Sequence, residues 1–293
     1  MIGQLNMEGK DKVQMAIERI QAFEPQEGYY LAFSGGKDSI TVKHLCDIAG
    51  VKYDAHYSVT SLDPPELVEF VKTFRDVSFE FPRGKDGKVN TMWNLLPKKR
   101  MPPTRIARWC CQDLKELHGH GRFIVTGVRW AESVKRKQNR AGLELGDRKT
   151  SKRELIDPDN DRDRLVGICP SKAQRFLNPI IDWDDGDVWE FIRQEGLAYC
   201  SLYDDGFKRL GCIGCPMQGR EGMIRDFERW PEYKKAYLRA MDKCLKGREL
   251  DGLTASGAFK EFKTAEDMMM WWIDDPSWKD EILGGWRMRR GEE

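Results

Sequence analysis

The feature that most constrains this chain is one succession: an apolar run, a small polar turn and an amphipathic stretch. The run is Tyr29-Tyr30-Leu31-Ala32-Phe33, the turn is Ser34-Gly35-Gly36-Lys37-Asp38-Ser39, and Ile40, Val42, Leu45 and Ile48 then recur at helical spacing to Ala49. A short apolar run ended by glycines reads as a buried strand, and the spacing after it as a helix facing a sheet. Strand, tight turn and helix start gather bare backbone N–H groups and small hydroxyls at one point, and such a point attracts phosphate. Gly35 and Gly36 allow close backbone approach, Ser34 and Ser39 offer hydroxyls, and Lys37 offers charge if it turns inward. Asp38 would cap the helix or help hold a metal. The plain alternative is a Gly-Gly turn before an ordinary helix cap, but the flanking strand and helix favour the phosphate reading. The spacing does not fit the longer G-x-x-x-x-G-K-[ST] loop.

The alternation continues. Residues 8–24 predict a lead-in helix (Val13, Ala16, Ile17, Ile20), and a second strand is expected at 55–59. Pro64 and Pro65 then open a helix through Phe74. Further strands are expected at 77–81 and 121–126, with a loop-rich basic segment at 84–108 between them. Residues 137–176, dense in charge, read as a long surface excursion that could order over a ligand. Residues 178–183 resume strand character, and a helix at 187–194 is stopped by Gly196. The fold class is therefore α/β, a parallel sheet with helices on both faces and a ligand site at the carboxyl edge of its strands. Residues 222–245 and 265–273 show helical spacing, so a smaller, cysteine-bearing helical section is expected at 197–293, after a nucleotide-binding part at 1–196. Met268-Met269-Met270-Trp271-Trp272 reads as core packing.

With 40% hydrophobic and 33% charged residues among 293, the chain is expected to be globular and able to bury a core. No apolar run approaches the roughly 20 residues of a membrane helix, and the first residues lack the apolar core of a secretory leader. A cytoplasmic location with no membrane partner is expected. A net charge of +1 is that of neither a strongly basic nucleic-acid binder nor an acidic tail. The local run Lys98-Lys99-Arg100, with Arg105 and Arg108, is a candidate nucleic-acid contact, although such runs are commonly solvated faces.

Eight cysteines without a leader point to buried, catalytic or metal-bound thiols rather than disulfides. Cys212-Ile213-Gly214-Cys215 is a C-x-x-C whose small middle residue lets both thiolates turn one way, and Cys110-Cys111 is an adjacent pair. Together they could furnish four thiolates for a cubane [4Fe-4S] cluster, or for zinc, which the same ligands suit. Cys200 is a rival for one position. A redox C-x-x-C has less support, and Cys46, Cys169 and Cys244 read as ordinary thiols. The histidines, His44, His56, His118 and His120, have no metal-ligand spacing.

Leu31-Ala32-Phe33-Ser34-Gly35-Gly36-Lys37-Asp38-Ser39 resembles the pyrophosphatase loop of the adenine-nucleotide α-hydrolase superfamily, which cleaves ATP between its α and β phosphates. Thr60-Ser61-Leu62-Asp63-Pro64-Pro65-Glu66 resembles the turn after the second strand of phosphoadenosine-phosphosulfate reductase-like proteins. Gly127-Val128-Arg129-Trp130-Ala131-Glu132-Ser133, with Arg136 and Arg140, is similar to their anion-binding segment. The cysteine pattern, and the segment Leu202–Cys212, resemble those of cluster-bearing adenylylsulfate reductases. The likeness covers most of residues 28–216. It implies ATP with Mg²⁺ as ligand, nucleotide contacts from the loop, Ser58, Asp63, Gly127, Arg129, Glu132 and Ser133, and catalytic roles for Lys37, Asp38, Arg129 and Arg136. Glu132 would orient an arginine. The plain alternative for Arg129 and Glu132 is a surface ion pair.

The reductases of this family use a cysteine in an E-C-G-x-H segment, which the final residues 285–293 lack; Cys244 is the last cysteine. The leading expectation is therefore an ATP pyrophosphatase that adenylates a target and, assisted by its cluster, transfers sulfur. A likeness to the sulfur-activating protein of DNA phosphorothioation systems makes nucleic acid an attractive acceptor. A small sulfur-accepting substrate is the other, and a sulfur-donor or reductant protein is implied. The alternatives are a sulfonucleotide reductase using an external thiol and a non-catalytic nucleotide-sensing module.

Overall fold

The computed structural model describes residues 11–132, 137–138, 140–141, 143–146, 153–156, 174–252 and 262–274. Among them, helix α1 (Lys12–Ala22) starts where the Asp11 carboxylate accepts the Gln14 N–H at 2.7 Å. Strand β1 (Tyr29–Ala32), helix α2 (Lys37–Ala49), strand β2 (Tyr53–Ser58), helix α3 (Pro65–Lys72) and strand β3 (Val77–Glu80) follow. The strand β4 (Phe123–Val125) lies on the other side of β1. Strands β5 (Leu143–Gly146), β6 (Arg153–Ile156) and β7 (Gln174–Leu177) complete a 7-stranded sheet of order β3-β2-β1-β4-β7-β5-β6. From β3 to β7 the pairs are parallel, with Tyr30 opposite Asp54 on one side and Ile124 on the other. The strand order thus turns back between β1 and β4, and their carboxyl ends form the crevice where open α/β sheets take ligands. Helix α2 packs with α1 on one side and with α6 (Asp185–Gln194) on another, and Ile20, Leu45 and Phe191 are all buried.

The expected parallel sheet is present, with a correction at one edge: β5 runs antiparallel to both β7 and β6. The expected surface excursion at 137–176 contains β5, β6 and β7, and the strand expected at 178–183 is a turn that follows β7. The sequence Gln174-Arg175-Phe176-Leu177 hides its strand because a charged residue occupies it. Arg175 solves this by laying its guanidinium 4.8 Å from the centre of the Phe123 ring.

The segment expected to be loop at 84–108 holds helix α4 (Met92–Lys99), started by a capping box in which Thr91 and Asn94 exchange side-chain and backbone bonds. The basic run is not an unpaired patch. Lys98 stands 3.8 Å from Asp86, Lys99 2.6 Å from Asp113, and Arg100 2.6 Å from Asp251. Helix α5 (Trp109–Leu114) follows. The single helix expected at 222–245 is two, α7 (Gly219–Arg229) and α8 (Pro231–Leu250), because Pro231 lacks an N–H and forces its predecessor out of helical geometry. Helix α9 (Ala265–Ile273) buries Met268, Met269 and Trp272, as core packing requires, but Met270 of the same run is 63% exposed.

The chain forms two compact units and passes back and forth between them. One comprises Met1–Ser58, Pro65–Glu80 and His118–Leu210 and holds the sheet. The other comprises Val59–Pro64, Phe81–Leu117 and Gly211–Glu293. Its described core is helical, with Tyr237 lying edge-on to Trp93 at 5.2 Å and 4.8 Å from Trp272. No helix among the described residues is long and apolar enough to cross a membrane.

Candidate functional site

The loop leaving β1 is shaped by its glycines. Gly35 has φ +71°, and a Cβ there would lie 2.5 Å from Val71 Cγ2 and 2.8 Å from Leu67 Cδ1. Only glycine meets both demands. Gly36, extended at φ −80° and ψ 159°, caps α2 without a side chain. Ser39 Oγ accepts the Ser34 N–H at 3.2 Å and donates to the Gly36 carbonyl at 2.9 Å, which ties the turn across its mouth. The Lys37 N–H, at the first turn of α2, is directed to the Tyr203 hydroxyl at 2.9 Å.

After β4, Gly127 lets its loop close on this helix start: a Cβ at Gly127 would stand 2.9 Å from the Asp38 carbonyl. Arg129 is thereby delivered with 1% exposure. Its Nε donates to Asp38 Oδ1 at 2.7 Å, its Nη2 to Asp185 Oδ1 at 2.6 Å, and its Nη1 to the Trp183 carbonyl at 3.3 Å. Lys37, 4% exposed, turns inward to Asp38 at 3.5 Å and Asp185 at 3.3 Å. Burial works against the Arg129 charge, but Asp38 and Asp185 outweigh it and hold the guanidinium pKa above its ordinary value. Burial likewise opposes the Asp185 carboxylate, yet Arg129 and Lys37 hold its pKa below the usual range. Two buried cations and two carboxylates thus meet at the carboxyl ends of β1 and β4.

Other expected residues have different partners. Glu132 accepts the backbone N–H of Arg129 at 3.1 Å, so it shapes the loop. Arg140 bonds Glu144 at 2.6 Å, and Asn178 links Glu144, at 2.8 Å, to Thr126, at 2.5 Å, behind β4. Ser58 ends β2 opposite Glu80. Asp63 accepts the Thr60 N–H at 3.1 Å and its hydroxyl at 2.8 Å within the helical unit. Ser133 and Arg136 lie outside the described residues. Asp185 and Tyr203 were not singled out from the sequence. The run Asp184-Asp185-Gly186-Asp187 reads as a helix start, and nothing local ties Tyr203 to a loop 166 residues away.

In the helical unit, α5 carries Cys110 and Cys111, and a turn carries Cys212 and Cys215. Asp226, 2% exposed, holds that turn by accepting the Gly214 N–H at 2.9 Å and the Gln218 amide at 2.7 Å. Arg108 donates to Cys111 Sγ at 3.2 Å. The hydrogen bond from Cys110 and the guanidinium of Arg108 bring the Cys111 pKa down to about 5. The same thiol bond, burial and the charges of Cys111, Cys212 and Cys215 drive Cys110 far up. Burial raises Cys212 to about 11 against the pull of Lys115. The four sulfurs are therefore within electrostatic reach of one another. No three His, Cys, Asp or Glu side chains among the described residues stand at the spacing that ligates a single ion. Cys200 belongs to the sheet unit, 1% exposed. Cys46 and Cys244 are buried, and Cys169 lies outside the described residues.

The phosphoadenosine phosphosulfate reductase domain profile matches residues 28–218. An uncharacterized protein of Methanocaldococcus jannaschii is 29% identical over 211 residues, 69% of this chain and 44% of that protein. An adenosine 5'-phosphosulfate reductase of Oceanobacillus iheyensis is 29% identical over 111 residues, 38% of this chain and 36% of its own length. The chain spans less than half the length of these curated relatives. The crystal structure of phosphoadenylyl-sulfate reductase from Candida auris, a phosphate complex, aligns with TM-score 0.40 and 14% identity, covering 71% of this chain and 96% of that one.

Proposed function

The chain belongs to the phosphoadenosine phosphosulfate reductase domain family, and from that premise we propose that it is a cytoplasmic ATP pyrophosphatase of sulfur metabolism, adenylating a target for sulfur transfer. The observation that carries this reading is the meeting of the Ser34–Ser39 loop with two buried cations, Lys37 and Arg129, where the strand order reverses. In the reaction, an acceptor oxygen attacks the α-phosphorus, the bond from that phosphorus to the bridging oxygen breaks, and pyrophosphate leaves with the negative charge. Loop N–H groups hold the phosphates, and Lys37 and Arg129 meet the charge that develops on the leaving group. Asp38 orients Arg129. Bound Mg²⁺ would offset further charge on the pyrophosphate.

In this reading the sheet unit carries the nucleotide chemistry and the helical unit carries the four cysteines. The acceptor is a nucleic acid or a small sulfur-accepting substrate, served by a sulfur-donor or reductant protein. The ion-paired Lys98–Arg100 run lends no particular weight to nucleic acid. A second reading, a sulfonucleotide reductase using an external thiol, draws on the likeness to the Oceanobacillus iheyensis reductase. Incubation with ATP or with adenylylsulfate separates them: pyrophosphate released from ATP is expected, whereas sulfite released from adenylylsulfate would establish the reductase instead.

Cys110, Cys111, Cys212 and Cys215 would hold a [4Fe-4S] cluster, with Arg108 and Lys115 offsetting thiolate charge; zinc is the alternative. All-thiolate donors fit either group. When bound, a cluster would supply an electron-transfer or sulfur-binding centre. Protein purified anaerobically is expected to contain about four iron and about four labile sulfide per chain, with Cys212→Ser losing both. Stoichiometric zinc without sulfide would assign the site to that metal.

A further inference from the structure

Two acceptors reach the phosphate loop from outside it. Tyr203, at the end of the short turn Ser201–Tyr203, takes the Lys37 N–H at 2.9 Å, and its hydroxyl lies 3.5 Å from where a Cβ on Gly36 would stand. Asp185, the first residue of α6, spans Lys37 Nζ at 3.3 Å and Arg129 Nη2 at 2.6 Å. A first-turn amide and a pair of cations are the groups that a polyphosphate engages. The protein's own phenol and carboxylate thus make the bonds that two phosphate groups would make. The two acceptors are also mechanically linked. Trp189, one turn after Asp185 on α6, meets Tyr203 edge-on at 5.0 Å and 89°, and Tyr199 at 5.2 Å and 84°.

We infer that Asp185 and Tyr203 are internal placeholders for two linked anionic groups: a ligand displaces both only if it brings two such groups. One group takes over the Lys37 amide, and the other takes over the Lys37–Arg129 pair. The inference rests on the nucleotide reading and narrows it to ligands with two linked anionic groups, a pyrophosphate or a phosphosulfate. A single phosphate or sulfate replaces one acceptor and leaves the other in competition. A linked pair replaces both within one binding event, so the second group binds at high effective concentration.

The test is calorimetric titration of the full chain with inorganic pyrophosphate and with orthophosphate, in wild type, Tyr203→Phe, Asp185→Asn and the double variant. Wild type is expected to prefer pyrophosphate by about a hundredfold. Tyr203→Phe frees the amide and tightens pyrophosphate about fivefold, the worth of one neutral hydrogen bond. Asp185→Asn tightens it about tenfold and the double variant about fiftyfold, whereas orthophosphate, which displaces one acceptor at a time, gains no more than about tenfold in the double. Weaker or unchanged binding by Tyr203→Phe makes the tyrosine a phosphate ligand or a bystander and overturns the inference. Equal gains for both anions in the double variant overturn it too, since merely removing a negative charge would help any anion. If Tyr203→Phe does not fold, Asp185→Asn decides: pyrophosphate binding that weakens or stays unchanged overturns the inference. Binding of neither anion by wild type and variants alike would overturn the nucleotide reading itself, and the inference with it; pyrophosphate binding without selectivity overturns only the inference.

Discussion

Arg129→Met is expected to slow pyrophosphate release by about 10²–10³-fold, the loss that follows removal of one preorganised charge-stabilising donor. Stability is expected to fall as well, by about 2 kcal/mol. The change leaves Asp38 and Asp185 without their guanidinium and the Trp183 carbonyl without its donor. Breaking a fully buried pair costs about 3–5 kcal/mol. Here the smaller figure applies because the Asp38 and Asp185 side chains are 24% and 69% exposed, so water recovers part of the loss. Arg129→Lys separates the two effects: it restores the charge but cannot bond both carboxylates and the carbonyl from one planar fork. It is expected to recover most of the stability and little of the rate. Denaturant midpoints and a pyrophosphate assay on the three proteins check both numbers, and a rate unchanged in Arg129→Met would remove Arg129 from the reaction.

Gly35→Ala is expected to be comparably damaging without touching a charge. At φ +71° a side chain costs about 1–2 kcal/mol, from the clash of Cβ with the adjoining carbonyl. The new methyl must also enter space held by Val71 and Leu67 on α3, with an overpacking cost of about 1–3 kcal/mol. A total near 3 kcal/mol follows, and the loop shifts away from α3, carrying the cradle with it. Gly35→Ala combined with Val71→Ala removes the nearer clash, leaves Leu67 Cδ1 at 2.8 Å, and is expected to recover only part of the packing cost. The backbone cost stays. Full recovery in the double variant would show that φ contributes nothing.

Much of the sheet unit was readable in advance because its signals are local. Pro65 at the start of α3 and the apolar run of β1 act within a few residues of themselves. The strand β7 was misplaced for the opposite reason. Arg175 makes it look like surface, and the groups that accommodate that charge, the Phe123 ring and the Glu27 carboxylate 3.5 Å away, are far from it in sequence. Helix α4 was missed because Pro97 inside it reads as a breaker. Its capping box and the burial of Met92, Leu95 and Leu96 outweigh that residue. The partners of the basic run after Leu96 were not readable either: Asp86, Asp113 and Asp251 take up Lys98, Lys99 and Arg100.

From the sequence by itself came the loop, its glycines and the four cysteines, because each is a short pattern whose chemistry follows from residue type and spacing; the arginine segment after β4 came from its likeness to a family pattern. Only the tertiary structure decided what faces what. It paired Arg129 with Asp38 and Asp185 rather than leaving it on the surface with Glu132. It brought Tyr203 to the Lys37 amide, and it tied Arg140 to Glu144. Backbone turns and helix starts are set by torsions a few residues long. The partner of a charge is set by where the β1 and β4 carboxyl ends converge, and that convergence is a property of strand order.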